Sequence, residues 1–328
     1  VWYRQSGEAI DRQGAYTAIE VLDRYHGQVT GVFSGDEHLA GLDPSQGTEL
    51  CAVVEYLFSL EVLLAILGDP AFGDRLERIA YNALPATFSP DMWAHQYDQQ
   101  ANQPLCAVTG EERIYTSNGP DANIYGLEPN FGCCTANLSQ GWPKFAASLW
   151  MRTPDEGLAA VGLAPSEART TLGGVGVTVI CDTDYPFRES LRLVVRAERP
   201  VRFPLLVRIP AWAEGARVEG AAAEPGAFCR IEREWEGESE VLVELPMRPR
   251  VERRYRGAAS ILRGPLVYAL EIGEDWRQIG GERPHADWEV HPTAPWNYAL
   301  LLDGADPARS VSFSAREIGE APFSPAGA

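Results

Sequence analysis

Apolar residues recur at helical spacing through the first half of the chain and at alternating spacing through the second. The order predicted is therefore helices first, strands afterwards. The clearest helix is predicted over residues 50–67. Leu50, Val53, Val54, Leu57, Leu60 and Leu64 share one face there, and Gly68 supplies a C-terminal stop. A looser set, Ile10, Ala15, Ala18, Ile19 and Leu22, predicts a helix over 8–25. Two more are expected: one from Phe72 to Leu84 ended by Pro85, and one from Thr135 to Met151 kinked or broken at Pro143. The stretch from Pro90 to Phe131 reads as a long loop.

Beyond residue 153 the pattern changes. Runs beginning at Val175, Leu191, Leu205, Val241 and Leu266 are rich in β-forming residues and separated by Gly, Pro, Asp and Glu. Strands in series without helices between them predict a β-sandwich or jelly roll. The expected organisation is a helical domain over 1–152, a β-sandwich over 153–263 and the start of a second β module over 264–328.

Composition narrows the partners. The chain has 328 residues, 45% hydrophobic and 23% charged, enough for two cores. A net charge of -18 argues against nucleic acid and anionic membrane surfaces, which require clustered Lys and Arg. A neutral substrate such as a sugar is not disfavoured. No apolar run is read as approaching the roughly 20 residues of a membrane span. The chain opens at Val1 directly into helix-like sequence, which reads as a missing N-terminal part. Location and oligomeric state stay open.

Candidate chemistry concentrates in the first half. Of six cysteines, Cys181 and Cys229 fall in strand-like sequence and read as small buried hydrophobes. Cys133 and Cys134 are adjacent. Their Cα atoms are about 3.8 Å apart, below the roughly 4.4–6.8 Å of ordinary disulfides. They read as metal ligands, as a reactive site, or as buried thiols. They precede a predicted helix, whose N-terminus favours thiolate. Glu49 and Cys51 also stand where a helix begins, and their side chains can converge only if Glu49 lies before its regular part. With Cys133 and Cys134 they would make a four-ligand site of a kind Zn²⁺ accepts. Glu37, in the loop between Gly31 and Gly41, is either a general acid and base or a solvated carboxylate. Trp93, His95, Tyr97 and, less centrally, Asn123 and Tyr125 could line a sugar pocket or pack the loop.

Three segments together, Gly35-Asp-Glu-His-Leu-Ala-Gly41, Gly47-Thr-Glu-Leu-Cys-Ala-Val-Val-Glu55 and Gly132-Cys-Cys-Thr-Ala-Asn137, resemble the β-L-arabinofuranosidase clan, glycoside hydrolase families 127 and 146. Asp91-Met-Trp-Ala-His-Gln-Tyr-Asp-Gln-Gln100 is similar to that clan as well. The resemblance implies an (α/α)₆ barrel, here lacking its first helices, followed by β-sandwich domains. It implies a retaining glycosidase acting on β-L-arabinofuranosides of plant-type oligosaccharides or glycoprotein glycans. It implies Cys133 as nucleophile, Zn²⁺ held by Glu49, Cys51, Cys133 and Cys134, and Glu37 as acid/base. The chain departs from the family in three places. Glu37 and Glu49 lie closer together, Phe131 replaces a further cysteine, and Thr135 and Ala136 follow the pair instead of proline. Without the resemblance, a two-carboxylate glycosidase using Glu37 and Glu49, a non-catalytic carbohydrate-binding protein and a structural zinc site remain open.

Overall fold

The computed structural model describes residues 1–110, 119–127, 131–303 and 306–324. The expected loop from Pro90 to Phe131 therefore includes residues 111–118 and 128–130, which lie outside the described ones.

Helices come first. They are α1 (Trp2–Ser6), α2 (Ala9–His26), α3 (Leu50–Leu67), α4 (Pro70–Arg78), α5 (Leu84–Ala86), α6 (Gly132–Leu138) and α7 (Gly141–Ala147). α3 spans the predicted residues and ends at Gly68 in the left-handed conformation, φ 63°. Its 18 residues are apolar enough by length and composition to cross a membrane, which amends the expectation that no run comes near that length. That apolarity faces protein: Leu50, Val53, Val54, Leu57, Leu60 and Leu64 are buried in the main core.

Two predicted helices end differently. Pro85 does not stop its helix. A π-helical turn over Ile79–Ala83 lets Leu84 donate to Ile79, and α5 then restarts with Pro85 in its first turn, where a missing N–H costs nothing. The helix expected over 135–151 is two short ones. α6 starts at Gly132, so both adjacent cysteines lie in its first turn, and Pro143 sits inside the first turn of α7.

Strands β1 (Gly47–Glu49) and β2 (Asp98–Gln100) form a small antiparallel pair among the helices. Strands β3 (Trp150–Arg152), β4 (Leu158–Ala160), β5 (Ser166–Leu172), β6 (Val175–Thr183), β7 (Ser190–Ile209), β8 (Arg217–Val218), β9 (Ala221–Ala222) and β10 (Ala227–Glu244) make an eight-stranded sheet. The runs at Leu191 and Leu205 are one strand, β7, despite Pro200. Residues 198–200 face an irregularity between Trp235 and Gly237 of β10, where no ladder bond is lost to the proline. β7 pairs with β6 in its first half and with β4 near its end. A three-stranded sheet follows, β11 (Pro249–Arg253), β12 (Ala259–Arg263) and β13 (Leu266–Tyr268), and then a hairpin of β14 (Glu274–Gly280) and β15 (Asp287–Pro292).

The helical segment and the eight-stranded sheet share one core, joined by a buried polar knot. Arg208 of β7 is fully buried. It pairs with Asp74 and Glu77 of α4 and donates to the Val161 carbonyl at 2.6 Å. Burial pushes both carboxyls above their ordinary range, opposed by the Arg208 charge. At the other end, β15 bonds through its backbone to Cys106 and Tyr125 of the long loop. The C-terminal hairpin thus docks beside the segment that carries Trp93 to Tyr97.

Candidate metal centre and active site

Glu49 occupies the position before α3, with extended backbone at φ −63°, ψ 139°. It therefore lies outside the regular helix, while Cys51 is the helix's second residue. That offset turns two side chains that would diverge within a helix towards one point. Pairing of β1 with β2 sets Glu49 opposite Asp98. The Leu50 N–H donates to the Tyr97 carbonyl at 2.8 Å, fastening the start of α3 to the same strand.

α6 brings the other two candidate ligands. Cys134 is buried and Cys133 is exposed. Cys51 Sγ and Cys134 Sγ are 3.5 Å apart, and Cys133 Sγ lies 3.9 Å from Glu49 Oε1. The four candidate ligand atoms all fall within 4.8 Å of one another. A tetrahedral Zn²⁺ with bonds of about 2.0–2.3 Å sets its ligands roughly 3.5–3.8 Å apart. The cluster therefore needs little movement to close on one cation.

The electrostatics of the bare cluster point the same way. Burial, then the neighbouring Cys51, Glu37 and Asp36, pushes the Glu49 carboxyl up to about 8. Cys51 is drawn down to about 5, chiefly by the hydrogen bond with Cys134. Cys134 is pushed up by that same bond, and Cys133 is pushed up by burial and by Cys51. Without a cation the group holds one thiolate at the expense of its neighbours. A divalent cation would stabilise the ionised form of all four.

Residues not singled out from the sequence hold this arrangement. Asn137 Nδ2 donates to Cys51 Sγ at 3.2 Å and to the Cys133 carbonyl at 3.1 Å, and Gln140 orients the Asn137 oxygen from 2.9 Å. Asn137 lies four residues after Cys133, one helical turn on, which was the available signal. Asp98 is fully buried, and burial with the charges of Asp36 and Glu49 pushes its carboxyl up to about 9. Only its place opposite Glu49 in a strand pair, which no local pattern encodes, makes it relevant.

Glu37 is exposed, in a left-handed turn at φ 58°, and its charge is felt at Glu49. The Gly35 loop is stitched to β1: Gly35 N–H donates to the Gly47 carbonyl and Glu49 N–H to the Gly35 carbonyl, each at 2.9 Å. Tyr97 is buried, donates its hydroxyl to Asp36, and stacks on Phe131 with centroids 3.7 Å apart. His95 is buried, with Nε2 3.1 Å from Thr135 Oγ1. That hydroxyl donates onward to the Leu127 carbonyl at 2.9 Å. Trp93 and Tyr125 stand elsewhere. Trp93 is half exposed and meets His285 edge-on at 5.0 Å, while Tyr125 packs against Trp276 and donates to the Ala86 carbonyl. Asn123 is buried, donating to the Asp98 carbonyl. Cys181 is buried, and Cys229 is only partly so.

A helical segment, a sheet behind it and a Glu-Cys-Cys-Cys cluster between two helix starts define a class, and comparison with known proteins names it. The catalytic domain of the GH127 β-L-arabinofuranosidases matches residues 2–147, and the GH127 middle domain matches residues 160–247. The chain belongs to glycoside hydrolase family 127. Among solved structures it is similar to a GH127 β-L-arabinofuranosidase from Geobacillus stearothermophilus T6, at 18% identity and TM-score 0.69 over 88% of this chain and 55% of that one. A structure described as a glycoside hydrolase matches at 17% identity and TM-score 0.62, over 81% of this chain and 56% of that one. A GH127 β-arabinofuranosidase matches at 16% and 0.58, over 82% and 51%. The chain thus spans about half the length of these structures. No curated protein sequence matches it.

Proposed function

We propose that the chain is part of a retaining β-L-arabinofuranosidase acting on plant-type oligosaccharides or glycoprotein glycans, with Cys133 as nucleophile. Residues 1–152 are read as the later helices of an (α/α)₆ catalytic barrel, 153–263 as a β-sandwich, and 264–328 as the start of a second β module. The observation that carries the chemistry is the exposure of one thiol in a four-ligand cluster: Cys133 opens to solvent while Cys134 is buried beneath it.

Glu49, Cys51, Cys133 and Cys134 would hold Zn²⁺, which when bound supplies positive charge that keeps the thiols ionised at neutral pH. The chain's own groups perform the displacement. Cys133 Sγ attacks the anomeric carbon, the S–C bond forms, and the C–O bond to the leaving group breaks. Glu37 protonates the departing oxygen. Water then attacks the same carbon, Glu37 takes its proton, and the S–C bond breaks to return the thiolate. Two inversions give net retention. Asn137, by bonding Cys51 and the Cys133 backbone, keeps the sulfur atoms aimed.

The test is hydrolysis of an aryl β-L-arabinofuranoside by the native chain, Cys133→Ser and Glu37→Gln. Native hydrolysis, loss in both variants, and a sugar adduct on the Cys133 peptide by mass spectrometry are expected. Full activity in Cys133→Ser would end the nucleophile assignment. Metal content measured on the same samples separates loss of zinc from loss of chemistry.

A further inference from the structure

A large concavity lies apart from the cysteine cluster. A cleft of about 1170 Å³ opens between the helical segment and the β14–β15 hairpin, and none of Glu49, Cys51, Cys133 or Cys134 lines it. Its walls carry two ring pairs. Phe88 and Trp142 stack from the helical side, with centroids 5.3 Å apart and planes inclined by 25°. Tyr125 meets Trp276 of β14, with centroids 5.1 Å apart. The polar heads of these rings are already engaged within the protein. Trp142 Nε1 donates to the Ala80 carbonyl, Trp276 Nε1 to Glu274 and the Tyr125 hydroxyl to the Ala86 carbonyl. What they offer an occupant is ring face and edge.

The remaining lining selects the chemistry of that occupant. Glu271, Glu274 and Glu320 line the cleft, and among the described residues no Lys or Arg does. Anions are therefore repelled, which excludes nucleic acid and acidic glycans. A peptide with apolar side chains would strip water from the carboxylates and return only backbone N–H donors, fewer than the hydroxyls of a sugar. A ligand suited to this lining has C–H faces for the rings, hydroxyl donors for the carboxylates, and no charge.

We propose that this cleft binds a neutral oligosaccharide, holding a length of glycan away from the bond to be cut. The proposal rests on the reading of the chain as glycan-acting. It is tested by calorimetric titration of short neutral arabino-oligosaccharides into Cys133→Ala, which keeps the cleft and removes the proposed nucleophile. Saturable binding is expected. Adding Trp276→Ala should weaken it about tenfold, as loss of a central aromatic anchor does, and Trp276→Phe should restore most of it. In the chain with Cys133 intact, Trp276→Ala should leave hydrolysis of a small aryl arabinofuranoside unchanged and raise KM only for the oligosaccharide. Aryl hydrolysis with no saturable oligosaccharide binding, or binding indifferent to Trp276, overturns the cleft and leaves the catalytic reading standing. Binding that depends on Trp276 with no aryl hydrolysis supports the cleft and overturns the catalytic reading.

Discussion

Replacing Arg208 by Met should loosen the joint between α4 and the eight-stranded sheet. The guanidinium is fully buried against Asp74 and Glu77, and Glu77 is itself without solvent exposure. With Arg208 gone, Glu77 keeps the Leu163 N–H at 2.7 Å and the Tyr185 hydroxyl, and Asp74 keeps the Ala211 N–H at 2.8 Å. Neither keeps a countercharge from Arg208. Stranding buried charge in this way costs about 3–5 kcal/mol, a fifth or more of the roughly 5–15 kcal/mol that folded proteins hold. The loss should depend on pH in a definite direction. Burial raises both carboxyls, and the Arg208 charge is the main influence pulling them down. In the variant their folded values rise further above the unfolded ones. Folding is then favoured below the unfolded value and loses stability as pH rises through the folded one. Urea unfolding followed by tryptophan fluorescence should show a larger deficit at pH 8 than at pH 5. The double variant Arg208→Met/Glu77→Gln should recover part of it, because a neutral amide replaces one stranded charge. Gly73→Ala offers an independent route to the same knot, since a Cβ there would sit 2.6 Å from Arg208 Cδ and Nε. A deficit below about 1 kcal/mol, ordinary for a surface change, or one indifferent to pH, would refute the argument.

Other predictions concern the cluster. Cys134→Ser should reduce bound zinc from about one equivalent per chain, the stoichiometry of a single four-ligand site, towards none by plasma mass spectrometry; unchanged content would place the metal elsewhere. Asn137→Ala should weaken zinc about 10–100-fold in competition with a chelator, as removal of a residue that orients metal ligands does, and an unaltered affinity would show Asn137 to be a bystander. In the zinc-free protein, Asp98→Asn should flatten the dependence of melting temperature on pH. Asp98 is pushed up to about 9, so its favourable protonated form is fully present below its unfolded value of roughly 4 and is lost as pH rises through 9. A slope equal to that of the native chain would contradict the burial of an uncompensated carboxyl.

How much of this was legible in the sequence depended on whether the signal was local. α3 was read correctly at both ends because its apolar face, its length and Gly68 all lie within one stretch. The convergence of Glu49 and Cys51 was readable because it needs only that Glu49 precede the helix. β7 was read as two strands because Pro200 breaks a strand unless the partner is irregular there, and the partner lies in β10, far along the chain. Pro85 was read as a stop because the π-turn that frees its position leaves no mark in composition. The approach of His285 to Trp93 was unreadable for the same reason, being set by the pairing of β15 with Cys106 and Tyr125.

The segment from His95 to Asp98 shows why motif reading found the residues of the cluster but not what positions them. Three of its residues each meet a different piece of the site. His95 reaches Thr135 on α6, directly after the two cysteines. Tyr97 holds Asp36 beside Glu37 through its hydroxyl, holds Phe131 before α6 through its ring, and accepts the Leu50 N–H through its carbonyl. Asp98 faces Glu49 across the strand pair. The Glu37 loop, the start of α3 and the cysteine helix do not need one another's sequence to find their places, because each is fixed against this segment. That segment is itself buried although His95, Gln96 and Asp98 are polar, and which partner each meets is set by residues far along the chain. Buried as they are, His95 and Tyr97 tie the loop that carries Glu37 and the helix that carries the two cysteines to one segment of chain.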